Sequence, residues 1–227
     1  IEISKVARKH KLWLHVDGAY CGASFLSEKH KSKLEGLDLV DSFSYNGHKM
    51  LNTPTNCSII LTKHKEALYN SFSNEASYLF QKDTDEFNFG KTSMQCGRRN
   101  DALKLWTLWK AVGTKGLGGM IDHLYETADT AFNYVSNHPD YTVHSFPESL
   151  SVCFNYKNID AKTLSHKLHD KGVSMVSYAE LRGETFIRFV NINTENSNED
   201  VLHFFAVLEG FVGEHQEEFS KLQALTN

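Results

Sequence analysis

What this sequence lacks narrows it first. Its four cysteines, Cys21, Cys57, Cys96 and Cys153, are widely spaced and form no C-x-x-C pair. That excludes the usual redox and zinc-ribbon spacings and predicts reduced thiols in an intracellular, cytoplasmic protein. Twelve histidines are present, yet neither His166 with His169 nor His138 with His144 extends into a zinc-ligand pattern, so no metal is expected. There is no excess of positive charge: the formal net charge is −4, which gives no electrostatic case for nucleic acid or anionic lipid. No apolar run approaches membrane-spanning length. No basic-then-apolar signal segment opens the chain, although Ile1 is not a natural start. Internal repeats and low-complexity tracts are also missing. What remains is an ordinary composition of 41% hydrophobic and 23% charged residues over 227 positions, enough for one large domain or two small ones.

Two settings stand out. Leu12-Trp-Leu-His-Val-Asp-Gly-Ala-Tyr20 reads as an apolar strand over 12–17 that delivers a carboxylate, Asp17, at its end. Asp41-Ser-Phe-Ser-Tyr-Asn-Gly-His-Lys-Met50 reads as a second strand that ends in a His-Lys pair. A carboxylate and an amine at neighbouring strand ends can grip an aromatic cofactor, the amine at its aldehyde and the carboxylate at its ring nitrogen. Plainer readings stand beside this one. An Asp after a strand also serves as an Asx turn or helix cap, and a Lys is ordinarily solvated.

Along the rest of the chain, residues 1–11 read as the end of an amphipathic helix with Ile3, Val6 and Ala7 on one face. A third strand is expected over 57–62 and a short helix over 64–72. Residues 81–93 lack periodicity and read as a mobile loop. A helix over 99–112, with Leu103, Trp106, Leu108 and Trp109 as its apolar stripe, should stop at Gly113. Another helix should follow over 117–136. The order then becomes strand (141–144), strand (151–156), helix (160–171), strand (173–177), strand (184–190), helix (198–215), which is the pattern of a compact α+β unit. The boundary is placed near Gly116, with a first domain over 1–115 and a second over 116–227.

Four stretches, in order, resemble the pyridoxal-phosphate-dependent group II amino-acid decarboxylases, most of all the glutamate and cysteine-sulfinate branch. They are His15-Val-Asp-Gly-Ala-Tyr20, Asn46-Gly-His-Lys49, Gln95-Cys-Gly-Arg98 with the Leu103-Lys-Leu-Trp106 helix, and Phe186-Ile-Arg-Phe189; Ala76-Ser-Tyr-Leu-Phe80 adds to them. The resemblance implies an α/β chain of fold type I, the aspartate-aminotransferase-like fold. Residues 1–115 would be the later part of the large pyridoxal-phosphate domain and 116–227 the small C-terminal domain. It implies a homodimer with shared active sites, no membrane and no nucleic acid. The activity it implies is decarboxylation of an L-amino acid, most of all an acidic one (glutamate, cysteine sulfinate or aspartate); an aldehyde-forming oxidative deaminase, an aminotransferase or a non-catalytic fragment stays open beside it.

By the same resemblance Lys49 carries the cofactor, Asp17 pairs with its ring nitrogen and Ala19 packs on one ring face. Asn46 and His48 lie near the phosphate and the lysine, and Arg188 holds the substrate α-carboxylate. Arg98 and Arg99 are further contacts to consider for an acidic substrate, or else residues of a helix N-terminus.

Departures from the family pattern are visible too. Gly47 stands where proline is common and Gly18 where alanine is common, changes read as small in volume but loosening the backbone. Members of the family are about twice this length. Residues 81–94 hold no tyrosine, the residue that commonly reprotonates the substrate carbon. Phe87 is the position to compare with it, and His48 is the alternative proton donor.

Overall fold

A computed structural model describes residues 1–73, 89–95 and 97–226. They form two compact units, Ile1–Gly118 and Gly119–Asn227. The segment 76–80, most of the 81–93 loop with Phe87, and Cys96 lie outside the described residues.

The first unit holds helix α1 (Glu2–Lys9), strands β1 (His15–Gly18), β2 (Ser42–Asn46) and β3 (Ser58–Thr62), helix α2 (Ala67–Phe72) and the start of helix α3 (Asp101–Asn137). Its sheet has the order β1-β2-β3. β1 pairs with β2 in parallel, with Asp17 opposite Ser44, and β2 pairs with β3 antiparallel, with Asn46 opposite Ser58. A parallel pair cannot be closed by a tight turn. The connection here runs through three short 3-10 turns, Gly22–Leu26, Lys31–Leu34 and Leu37–Leu39. The core beneath is built from Phe43, Tyr45, Met50, Leu51 and Leu26, all buried. Phe25 meets the rings of Phe43 and Tyr45 edge-on at 6.2 and 5.3 Å, a favoured aromatic geometry.

Two of the apolar stripes read from the sequence are not what the first unit buries. On α1, Ser4 and Ala7 turn inward while Ile3 and Val6 are exposed: small side chains at i and i+3 let the helix lie close. On α3, Leu103 and Trp106 of the expected stripe are exposed. The burial falls instead after Gly113, on Leu117, Ile121 and Leu124. Gly113 itself breaks the helix, at φ 68 and ψ 175, a conformation glycine reaches without steric cost.

The end of the sheet opposite the strand termini of interest is tied by one carboxylate. Asp41 accepts from the Leu14 N–H at 2.8 Å and from Arg8 Nη1 at 3.0 and 3.2 Å, and it meets His64 Nε2 at 2.9 Å. It therefore joins α1, β1 and the end of β3. The Leu14 amide first, then His64 and Arg8, hold its carboxyl well below the usual carboxylate range. A depressed native pKa adds stability that is fully present above the unfolded value, about 4. That stability is lost as pH falls through the native value. Asp41→Asn should therefore melt several degrees lower at neutral pH, with the gap to the parent narrowing only below about pH 4. Thermal melts at stepped pH check this.

The second unit contains the remainder of α3, an antiparallel sheet in the order β4-β5-β7-β6, and three helices. The strands are β4 (Tyr141–Val143), β5 (Ser151–Tyr156), β6 (Ser177–Leu181) and β7 (Glu184–Val190), and the helices are α4 (Ala161–Asp170), α5 (Asn198–Glu214) and α6 (Gln216–Thr226). One core joins Val152, Phe154, Leu164, Leu168, Ile187, Phe205 and Leu208. Asp160 caps α4 through the Thr163 N–H, and Ser197 with Asp200 forms a capping box on α5. Tyr134 and Tyr141 both donate to Glu209 Oε1, at 2.8 and 2.9 Å.

The strand expected over 173–177 lies instead at Ser177–Leu181. Arg182 and Gly183 both have positive φ, 55 and 83. They close a two-residue hairpin between Leu181 and Glu184, the geometry of a type I′ turn. Helix α6 was not anticipated.

Candidate active site

β1 and β2 run side by side, so their carboxyl ends open on the same edge of the sheet, where open α/β sheets place ligands. Asp17 stands at the end of β1, with Ala19 two residues on. Asn46 closes β2, and Lys49 follows after a tight turn. The structure thus brings Asp17, Ala19, Asn46, His48 and Lys49 to one edge of the first unit.

Asp17 is exposed. Its Oδ1 accepts the Ala19 N–H at 2.9 Å, an Asx turn in the sense of the plainer reading, and it leaves Oδ2 with no partner among the described residues. Lys49 makes no ion pair among the described residues. Its ammonium lies close enough to Cys21 to pull that thiol's pKa down, against burial, which has the larger effect and raises it. Spacing alone marks Cys21 as a reduced thiol and does not show its neighbour across the fold.

The turn carrying Lys49 is held firmly. The Lys49 N–H donates to the Asn46 carbonyl at 3.3 Å and the Asn52 N–H to the Lys49 carbonyl at 3.2 Å. Met50 and Leu51, immediately after, are fully buried and anchor it. Gly47 donates to the Cys57 carbonyl at 2.8 Å, and the Thr53 N–H donates to the Gly47 carbonyl at 3.1 Å. A Cβ at Gly47 would stand 3.1 Å from Thr53 Oγ1 and 3.2 Å from Cys57 Sγ. Proline here would lose a hydrogen bond as well as crowd the turn. Thr53 Oγ1 is itself buried and has no partner among the described residues.

Gly18 is likewise not a mere loosening. A Cβ there would meet Phe43 Cε2 at 2.6 Å, Gly22 Cα at 2.8 Å and the Ser44 carbonyl oxygen at 2.9 Å. Two of those three atoms are backbone and cannot step aside. Gly18→Ala should destabilise the protein by about 1–3 kcal/mol through overpacking, read as a lowered denaturant midpoint. An unchanged midpoint would mean the strand shifts freely.

Arg188 belongs to the second unit. It lies on β7 opposite Cys153 and Ser177, next to the fully buried Ile187, so the strand alternation turns it to the face away from the core. It is exposed and makes no ion pair among the described residues. Its charge lowers the Cys153 thiol pKa, against burial, which raises it more. Arg98, by contrast, is tied locally to Ser93 Oγ and to the Gln95 carbonyl, and Arg99 is exposed just before α3. Among the described residues no cluster of His, Cys, Asp and Glu could hold a metal ion, and no helix is long and apolar enough to cross a membrane.

The solved structures this chain resembles are pyridoxal-phosphate-dependent decarboxylases of fold type I, and its own fold is of that α/β class. The profile of the pyridoxal-dependent decarboxylase conserved domain matches residues 1–157, and the chain belongs to that family. It is 33% identical over 222 residues to the acidic amino acid decarboxylase GADL1 of Mus musculus, covering 88% of this chain and 40% of that protein. To the Homo sapiens GADL1 it is 32% identical, covering 88% and 43%. The chain therefore spans less than half the length of these relatives. Among solved structures it resembles mouse CSAD in apo form, with a TM-score of 0.79 and 28% identity over 91% of this chain and 47% of that one.

The residues present fit a pyridoxal phosphate group by their donor set. Among the described residues this edge offers a primary amine without an ion pair, a carboxylate with an open oxygen, a small alanine two residues past that carboxylate, and an amide and an imidazole at the lysine turn.

Proposed function

We propose that this chain forms part of a pyridoxal-phosphate-dependent decarboxylase that releases carbon dioxide and an amine from an acidic L-amino acid: glutamate, cysteine sulfinate or aspartate. Residues 1–115 then serve as the later part of the cofactor domain and 116–227 as the small domain. Assembly as a homodimer with shared active sites, in the cytoplasm, belongs to the same proposal. The observation that carries it is the pairing of an open Asp17 oxygen with an unpaired Lys49 at the ends of two adjacent parallel strands. The likeness to acidic amino acid decarboxylases supports the substrate class.

Bound here, the cofactor supplies an electron sink for the pair left when carbon dioxide departs. The rest of the work falls to side chains. Lys49 would hold the cofactor through its primary amine, a nucleophile suited to an aldehyde. Asp17 Oδ2 would accept from the ring nitrogen, where its negative charge would favour a protonated ring. Ala19 leaves room for a flat ring against the strand end. Asn46 and His48 offer polar hydrogens beside the lysine. Arg188 pairs its planar fork with the carboxylate that will be lost.

The deciding experiment incubates the purified protein with each of the three acids and quantifies products. Amine with carbon dioxide supports the proposal. Aldehyde with ammonia and peroxide, or a keto acid, assigns a different reaction to the site. No product, together with no visible cofactor absorbance, would leave the chain without catalysis.

Arg188→Lys keeps the charge but loses the two-pronged geometry. It should raise KM or lower kcat by roughly tenfold or more with little change in melting. A large fall in stability with normal kinetics would make Arg188 structural.

A further inference from the structure

Cys57 touches the lysine turn at two points. Its carbonyl accepts the Gly47 N–H at 2.8 Å. Its own N–H donates to Nδ1 of His48 at 2.9 Å, while its carbonyl oxygen also lies 2.9 Å from that nitrogen. Nδ1 cannot satisfy both groups at once. An amide N–H can only donate, so a nitrogen facing it must present a lone pair; a hydrogen on Nδ1 would be driven against the amide hydrogen. The carbonyl does not need the ring as a donor, because Gly47 already supplies one. The amide has its acceptor in Nδ1. Hydrogen-bond matching therefore selects one tautomer, with Nδ1 bare and the hydrogen on Nε2. The Cys57 thiol plays no part in this contact. Its Sγ points to the Asp101 carbonyl, 3.7 Å away.

We infer that Cys57 is a positioning residue for His48: its backbone N–H locks the imidazole as the neutral Nε2–H tautomer, so that His48 offers the site a hydrogen-bond donor. This rests on the reading of the 46–49 turn as the lysine turn of the active site. Nε2 has no partner among the described residues, so it is available to an oxyanion of the bound ligand. The same lock limits what His48 does. To deliver a proton and remain neutral, the ring must first take a second proton on Nδ1, and Nδ1 must then exchange the Cys57 N–H for the Cys57 carbonyl. In the locked state His48 stabilises negative charge and is not the acid that reprotonates the substrate carbon. That departs from the expectation that His48 replaces the missing loop tyrosine.

The test is spectroscopic and needs no substrate, so its outcome is independent of whether carbon dioxide release is found. Protein labelled with 15N at the histidine rings is examined by long-range proton–nitrogen correlation, and the His48 signals are assigned by their disappearance in His48→Gln. The expected pattern is a protonated Nε2 and an unprotonated Nδ1. A protonated Nδ1, or a rapidly averaged pair, would overturn the inference. Cys57→Ala keeps the amide hydrogen and should leave the pattern unchanged; a tautomer shift in that variant would assign the lock to the thiol and also overturn it. Cys57→Pro removes the amide hydrogen and should produce mixed tautomers, whereas a retained Nε2–H pattern there would exclude the amide as the cause. Should Cys57→Pro fail to fold, the parent and alanine spectra decide.

Discussion

Lys49→Ala should remove both the visible absorbance of the lysine-bound cofactor and all measurable release of carbon dioxide. The expectation follows from chemistry that only a primary amine can perform: among the residues described at this edge of the sheet, Lys49 is the one that carries it. Methyl in place of butylamine should leave the fold in place, because Lys49 makes no ion pair among the described residues. The turn is anchored by its neighbours, the buried Met50 and Leu51 and the backbone bonds through Asn46 and Asn52. The two readouts separate the possible failures. Absorbance lost with melting unchanged identifies Lys49 as the attachment point. Absorbance and turnover both retained would place the attachment elsewhere and dissolve the argument built on this turn.

The sequence made some elements legible and hid others for physical reasons. β2, β3, β5 and β7 lay within a residue of expectation because their apolar residues and bounding turns are local signals. Helix α4 and the break at Gly113 were legible for the same cause, a cap at one end and a glycine at the other. β6 was misplaced because the apolar run at 173–177 looked more strand-like than Ser177-Tyr-Ala-Glu-Leu181. That strand is an exposed edge whose place is fixed by the hairpin at Arg182 and Gly183. On α1 and early α3 the apolar stripes are exposed, because periodicity reports a stripe and not what covers it.

At the site, the sequence order put Asp17 and Lys49 on strand ends, and the parallel register brings those ends together. What it could not carry was the support around them: Cys21 near Lys49, the buried Thr53 hydroxyl, and the close packing that demands glycine at 18. Each depends on residues brought together by folding. For Cys57 and His48, nine residues apart, the signal is the return of β3 alongside β2, which places the first residue before β3 against the turn after β2.

Asp17→Asn should lower the rate of decarboxylation by at least two or three orders of magnitude while the protein folds and still binds its cofactor. The change is nearly isosteric, and the local duty of Asp17 survives it, since the amide oxygen can still accept the Ala19 N–H that Oδ1 accepts at 2.9 Å. The charge is what disappears. A carboxylate within hydrogen-bond reach of a ring nitrogen favours the protonated ring, and one unit of pKa is worth about 1.4 kcal/mol of that preference. Turned with its oxygen to Ala19, the asparagine side chain offers the ring nitrogen only N–H donors, which favour the unprotonated ring. A shift of two to three units therefore corresponds to about 3–4 kcal/mol of lost stabilisation for the electron pair that builds up as carbon dioxide leaves, and each 1.36 kcal/mol is tenfold in rate. The loss should appear in kcat and not in the affinity for the amino acid, which depends on Arg188 and other contacts. Asp17→Glu makes the complementary measurement: it restores the charge but displaces it by one methylene, and it should recover part of the rate. Near-normal turnover in Asp17→Asn would show that the ring nitrogen needs no anion here and would return Asp17 to the plain role of an Asx turn at the end of β1.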